Sequence, residues 1–587
     1  MREQKPVSRI PHPASRIPRR VSRALIRRAP LLLYALPIAF LSVFFFYPLL
    51  EIFKLSFAPE GQLSFGALER LVSSSYYLKT LWFTVWQATV SMLLTVLLAM
   101  PGAYVFARYR FPGKSLIQAL TTIPFVLPSI VVAAAFTALL GPRGWVNTAL
   151  MILFGLDRPP INLQFTIWMI LLAHVFYNYT VVLRIVGGFW ANLSPRLEEA
   201  AAVLGASRRQ VFREVTLPLL LPAITAASLL VFIFDFTSFG VILILGGPRY
   251  ATLEVEIYRQ AVNLFNLPVA AALSLAQIVF TLSLMWVYTR LQARTAVPLD
   301  LQARRQLQRP PATPREKWLV WGNVVLMLGL LLTPLLALVA RSFSMAGAGW
   351  TWQSYRELFI NRRGSILFVP PTEAVRNSVG FAGATTLLAL LLGLIGAYLL
   401  VRRHGQPFDR LRTGISSVLD PIFMLPLGTS AVTLGFGFII ALDEPPLNLR
   451  TSPLLIPLAH TLVAFPFVVR SVLPALRGID PQLREAARVL GAGPWRVWRE
   501  IDLPIVGRAL LVGAVFAFTV SMGEFGATVF IARPQVPTMP VAIFRFLGQP
   551  GALNYGQALA MSTLLMVVVA VGFLAIERFR AGGVGEF

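Results

Sequence analysis

A helix needs about 20 predominantly apolar residues to cross a bilayer. Runs of that kind recur twelve times along this chain. In the first half they lie near 31–51, 81–106, 117–140, 165–188, 222–245 and 268–289. In the second half they lie near 318–340, 379–401, 416–441, 453–475, 508–531 and 555–576. Inside lipid every backbone N–H and C=O has to be satisfied within the protein, so runs of this length are expected to be helical. The expected fold is an all-α integral membrane protein of about 12 transmembrane helices. Composition agrees: 56% of residues are hydrophobic and 13% charged, against roughly 25% charged in soluble domains.

The formal net charge is +26, but its distribution argues against nucleic acid as a partner. The basic residues fall in alternate loops, as the excess of Lys and Arg in cytoplasmic loops predicts. They concentrate in the tail at 1–30, at Arg108, Arg110 and Lys114, in the linker at 291–317, and at Arg402, Arg403, Arg410 and Arg412. A cytoplasmic N-terminus places all four groups on one side. The tail repeats Ser-Arg-Ile-Pro at 8–11 and 15–18 and reads as a basic arm near anionic membrane lipid. The first apolar run is longer than a signal core and no small-x-small cleavage site follows it, so it is expected to stay as an anchor. The chain has no Cys, which excludes disulfides and thiolate metal ligands.

Between the apolar runs, one polar motif occurs twice. Residues 199–218 read EAAAVLGASRRQVFREVTLP and residues 485–504 read EAARVLGAGPWRVWREIDLP. Both carry Glu-Ala-Ala, a Gly six residues after the Glu, and Leu-Pro twelve and thirteen residues after that Gly. The offset is 286 residues, and it also relates Ala173-His174 to Ala459-His460, Arg184 to Arg470, Phe239-Gly240 to Phe525-Gly526, Thr252 to Thr538 and Arg259 to Arg545. Upstream, Leu127-Pro128 matches Leu425-Pro426 at a different offset. The chain therefore reads as two homologous six-helix halves, 31–290 and 318–587, after a basic cytoplasmic tail (1–30) and around a cytoplasmic linker (291–317). An even span count gives both halves the same orientation, related by an axis along the membrane normal. A pathway is expected between them.

Gly113-Lys114-Ser115 looks like the end of a phosphate-binding loop, but the position five before Gly113 is Arg108. That loop needs its first Gly and a preceding strand. No polar stretch is long enough for a nucleotide-binding domain, so ATP would be bound by another chain. No Ser/His/Asp grouping points to catalysis, and no cluster of His, Asp or Tyr stands at metal-ligand spacing. No catalytic residue, metal or cofactor is expected in this chain.

The doubled Glu-Ala-Ala…Gly…Leu-Pro pattern resembles the cytoplasmic loop of ABC importer permeases, and the resemblance extends over nearly the whole chain outside the first 30 residues and the linker. It implies a type I importer-like fold in a bacterial inner membrane. It also implies two copies of an ABC ATPase subunit and an extracytoplasmic substrate-binding protein as partners. The ATPase-coupling residues it implies are Glu199, Ala200, Ala201 and Gly205, with Glu485, Ala486, Ala487 and Gly491. A fused pair of halves is similar to the thiamine and ferric-iron permeases. RFPGKSLIQAL at 110–120, LLAHVFYNYTVVLR at 171–184, LGGPRYATLEVEIYRQA at 245–261 and VSMGEFGATVFIARPQVPTMPVAIFR at 520–545 look more like the thiamine branch. Thiamine or a thiamine phosphate is the leading expectation. Ferric iron stands beside it, then sulfate, molybdate and polyamine. An ion-coupled secondary transporter fits the span count but gives the two loops no purpose.

Carboxylates within spans are costly and default to functional candidates. Asp235 and Glu524 lie three residues apart after alignment, each just before a Phe-Gly pair. With Phe236, Phe239 and Phe525 they form the candidate translocation pathway, since a carboxylate with aromatic faces suits an organic cation. The alternative is that each carboxylate caps or pairs inside the protein. His174 and His460 are expected to make interhelical hydrogen bonds.

Overall fold

The computed structural model describes residues 33–59, 61–295, 308–345, 349–361, 367, 369–401, 419–443, 445 and 447–580. The basic tail, most of the linker and the arginines at 402–412 lie outside them. Eleven helices in the described residues are long and apolar enough to cross a membrane, and a bent pair brings the total to twelve. The architecture is an all-α membrane protein, as the apolar runs require.

Each half is built on a central helix pair. In the first half Ser75–Arg108 packs along Ile167–Asn192; in the second, Pro371–Leu400 packs along Leu455–Arg477. Small residues let the backbones approach, as in membrane helix interfaces generally. Gly187 sits 3.4 Å from the Ala103 backbone, counted from where its Cβ would stand, and a Cβ at Gly393 would run into Val468. The first helix of each half crosses to the other. Leu41 and Phe45 of Leu33–Phe57 belong to the second half's core, and Gly437 lies against Pro48 and Ile52. Conversely Pro314–Ser342 packs on Ser129–Leu140 of the first half. The halves are thus interlocked by exchanged helices.

Four spans differ from the expectation. The third and ninth are broken rather than continuous. Helix Lys114–Val126 ends at Leu127, and a new helix runs Ser129–Leu140. Leu127 is extended at ψ 143°, because the Pro128 ring disfavours α geometry in the residue before it. In the second half Leu419–Gly428 meets Ala431–Ala441 at 97°, with the Ser430 hydroxyl accepting from the Val432 N–H at 3.1 Å. Aligning the two breaks pairs Ile123-Pro124, not Leu127-Pro128, with Leu425-Pro426. The packing supports this register: Gly240 rests on Ser129 and Gly526 on Ala431, the first residue after each break. The fifth and eleventh spans begin and end earlier than read, as Arg208–Phe236 and Pro494–Gly523. They end at Phe236 and Gly523 and are followed by short helices, Gly240–Leu245 and Leu253–Tyr258 in one half, Thr528–Ile531 and Met539–Leu547 in the other.

Candidate functional site

The two Glu-Ala-Ala loops fold alike. Helices Arg196–Val203 and Pro481–Val489 each end in a Gly with left-handed backbone, Gly205 at φ +89° and Gly491 at φ +83°. The N–H of Gly205 donates to the Ala202 carbonyl and that of Ala206 to Ala201. In the second loop Gly491 donates to Arg488 and Ala492 to Ala487. This pair of bonds is the Schellman closure, which requires a left-handed residue at that position. Gly lacks the Cβ that opposes it, which explains the Gly six residues after the Glu. Glu199, Ala200, Glu485 and Ala486 are exposed, while Ala201 and Ala487 are half-buried.

The closure also pushes two apolar side chains into the open. Val203 and Leu204 are 87% and 88% exposed, Val489 and Leu490 87% and 86%. Each loop thus presents a Val-Leu tip to its surroundings. These residues were not among the sequence candidates, although Val-Leu precedes the Gly in both copies and so carried the signal.

At the root of each loop helix a polar bond ties it to a π-helical turn. In the first half Glu198 accepts from Arg108 at 2.5 Å and from the Thr216 hydroxyl at 3.0 Å, Thr216 closing the π turn Val211–Thr216. In the second half the equivalent positions are Arg484 and Asp502, 2.7 Å apart, and Asp502 closes Trp498–Asp502. The acid has moved from the loop helix to the π turn. Lys114, of the Gly-Lys-Ser sequence, donates to the Phe106 and Tyr109 carbonyls at 2.6 and 2.8 Å and so fixes the neighbouring loop.

A second exchange occurs within the spans. His174 lies 3.0 Å from Ser91, 2.8 Å from Ser238 and 3.5 Å from Asp235. His460 lies 2.7 Å from Ser521, 2.7 Å from Thr528 and 3.3 Å from Glu524. By the 286-residue offset Asp235 corresponds to Ser521 and Ser238 to Glu524. Each His therefore meets one acid and one serine at the same two positions, in opposite order. Asp235 accepts from Asn178 at 2.7 Å. Glu524 accepts from the Ala527 and Thr528 N–H groups at 2.8 and 3.0 Å and from the Thr528 hydroxyl. Both carboxylates are buried in networks of their own halves.

The aromatic candidates separate. Phe236 stacks on Phe280 at 4.4 Å inside the first half. Phe239 and Phe525, equivalent by the offset, stack on each other at 5.5 Å across the seam between halves. Tyr258 packs on Phe239 at 5.6 Å and its equivalent, Phe544, on Phe525 at 5.4 Å. The four rings form a row across the seam, and Tyr258 also packs edge-on against Phe530 at 5.5 Å. Tyr258 and Phe544 escaped the sequence reading, because only the fold brings the short helices that carry them to the Phe-Gly turns. Among the described residues no group of three or more His, Asp or Glu stands where it could hold a metal ion.

Comparison with known proteins agrees with this doubled plan. The family model for the inner membrane component of binding-protein-dependent transport systems matches residues 99–297 and again 389–581. The chain belongs to that family. A probable ABC transporter permease, y4fN, of Sinorhizobium fredii is 26% identical over 562 residues, spanning 92% of this chain and 95% of that one. The thiamine transport system permease protein ThiP of Brucella abortus is 28% identical over 496 residues, 83% of this chain and 86% of its own. The ferric transport system permease protein FbpB of Actinobacillus pleuropneumoniae is 26% identical over 554 residues, 90% of this chain and 75% of its own. The chain is thus a multi-pass inner membrane permease of the ABC importer kind, with both permease copies in one polypeptide.

Proposed function

We propose that this permease couples ATP hydrolysis on two separate ATPase subunits to the inward passage of thiamine or a thiamine phosphate delivered by an extracytoplasmic binding protein. The N-terminus and both Glu-Ala-Ala loops face the cytoplasm, where the basic loops lie. The observation that carries the reading is the matched pair of loops, each ending in a Schellman-capped helix with an exposed Val-Leu tip. Each tip seats in one ATPase subunit. Closure of the ATPase pair on ATP pushes on the two loop helices, and their polar roots pass the displacement to the spans that begin at Leu217 and Leu503. The halves then rock about the seam, and the Phe239–Phe525 stack parts and re-forms. The chain contributes movement and a passage, not bond chemistry.

The thiamine assignment is supported by relatives named as thiamine permeases at 26–28% identity, from Brucella abortus, Escherichia coli and Salmonella typhimurium. The relative named as a ferric permease, at 26% identity over 554 residues, supports ferric iron as the second reading. Reconstitution with the ATPase and binding protein tests both. Stimulation of ATP hydrolysis by thiamine-loaded binding protein is expected. Stimulation by the ferric-loaded protein alone would keep the mechanism and change the substrate, and no association with any ATPase would end the importer reading.

A further inference from the structure

The last residues of the linker meet the first half at the root of its loop. The Arg309 N–H donates to the Arg108 carbonyl at 3.2 Å, and the Arg309 carbonyl accepts from the Arg110 N–H at 2.9 Å. The two bonds straddle Tyr109 and pair it with Arg309 as an isolated parallel bridge. The Arg309 guanidinium lies over the Tyr109 ring at 5.7 Å and donates to Glu316 at 2.6 Å. Glu316 also accepts from the Ala312 and Thr313 N–H groups at 2.9 and 3.3 Å, closing the capping box of Pro314–Ser342. Arg309 is thereby attached to the start of the second half's first span.

The other side of the bridge leads to the loop. Arg108 gives its carbonyl to Arg309, while its guanidinium donates to Glu198 at 2.5 Å and to the Leu193 carbonyl at 3.3 Å. Tyr109 is buried. Its ring meets Tyr104 at 5.9 Å, Tyr104 meets Trp190 at 5.2 Å, and Trp190 meets Phe212 of the π turn Val211–Thr216 at 6.5 Å. One polar and one aromatic path therefore run from Arg309 to the loop helix and to the π turn, contiguous chains of the kind that carry displacement. The Arg309 side chain is mostly exposed, so its ion pair adds little. The two main-chain bonds carry the attachment. The chain has one linker, so this clamp serves one loop.

We propose that Arg309 is a positioning residue for the first ATPase-coupling loop. Through the clamp at 108–110 the helix Arg196–Val203 is set relative to the second half's first span as well as to its own half. A push on that loop then reaches both halves directly, not through the seam alone. This deepens the importer reading and rests on it.

Hydrogen exchange on the full chain in nanodiscs, without ATPase, tests the clamp itself. R309P removes the N–H donated to Arg108, and R110P the N–H donated to Arg309. Tyr109 is already extended at ψ 144°, so R110P brings no clash with the residue before it. Each variant is expected to speed exchange of the Arg196–Val203 amides about fivefold, as for one hydrogen bond lost, and to leave Pro481–Val489 as in wild type. R309Q keeps both main-chain bonds and should stay within about twofold of wild type. Unchanged exchange at Arg196–Val203 in both proline variants would overturn the proposal, as would equal acceleration in the two loop helices. Vesicles with the ATPase and thiamine-loaded binding protein test the role. Thiamine moved per ATP hydrolysed should fall in R309P and R110P and hold in R309Q. Faster exchange with an unchanged ratio would reduce the clamp to a structural bond and overturn the positioning role. Failure of wild type itself to bind the ATPase would instead end the importer reading, and the coupling role with it, whatever the exchange shows.

Discussion

The two halves share a backbone plan and reverse its polarity at two places. At the loop root the first half sets an acid on the loop helix (Glu198) and a hydroxyl on the π turn (Thr216), where the second sets a cation (Arg484) and an acid (Asp502). Around the span histidines the acid and serine trade positions. What persists is the bond, not the residue that makes it. Two elements that must stay in fixed relation need a donor facing an acceptor, and either assignment serves. Where a position admits no exchange, the residue itself persists: Gly205 and Gly491 sit at φ +89° and +83°, and Phe239 and Phe525 meet each other on the axis.

The largest expected difference between halves lies at the two carboxylates. Glu524 satisfies two backbone N–H groups and the Thr528 hydroxyl, whereas Asp235 has one close side-chain donor, Asn178. Glu524→Ala leaves several buried donors unpaired and should destabilise the chain by about 3 kcal/mol or more, at roughly 1–3 kcal/mol per orphaned group. Asp235→Ala should fall at about 1–2 kcal/mol on the same scale. Thermal unfolding in detergent checks this. Equal losses would show that the halves do not divide the work as their hydrogen bonds indicate.

The glycine turns sharpen the comparison from the other side, because here the halves should respond alike. A Cβ at Gly205 or Gly491 meets nothing within 4 Å, so Gly→Ala tests backbone strain alone. Each substitution should cost about 1 kcal/mol locally and lower the substrate moved per ATP hydrolysed, with both together uncoupling most turnover. Transport and phosphate release measured on one vesicle preparation decide it. A large asymmetry between G205A and G491A would mean that the two loops do not make equivalent contacts.

The loop roots should show a smaller, unequal effect. Arg484→Ala leaves the buried Asp502 with the Tyr398 hydroxyl at 3.1 Å. Glu198→Ala leaves the mostly buried Arg108 with the Leu193 carbonyl at 3.3 Å. Glu198 and Arg484 are themselves partly exposed, so each loss is discounted toward about 1 kcal/mol, R484A being the larger. Hydrogen exchange on the two loop helices would reveal the order.

Repetition decides how much of this was legible in sequence. The span count, the doubling and the loop glycines could be read because each appears twice at a fixed spacing. The helix breaks could not be registered, because a Leu-Pro dipeptide recurs at Leu127 and Leu425 and a dipeptide match outweighs a gap that only packing reveals. The earlier ends of these two spans were missed because Gly240–Leu245 and Thr528–Ile531 continue the apolar run after a break in the helix. Asp235 and Glu524 were seen to be offset by three residues. That one histidine per half bridges both positions is a fact of three dimensions.

The Phe239–Phe525 pair has a stability effect of similar size, and it bears most directly on the seam. Stacked rings contribute about 0.5–1.5 kcal/mol beyond the area they bury. Phe239→Leu and Phe525→Leu should each cost a similar amount, because the residues are equivalent and each is the other's partner. The double variant should cost less than the sum, by a coupling of about 1 kcal/mol, since the second substitution finds the stack already gone. In vesicles the double variant should also pass small polar solutes without ATP, because the contact that closes the seam has been thinned from both sides. Additive stabilities together with a tight vesicle would mean that the two rings touch without sealing anything, and the closure would then have to come from Tyr258 and Phe544, whose equivalence across the axis is weaker by one hydroxyl.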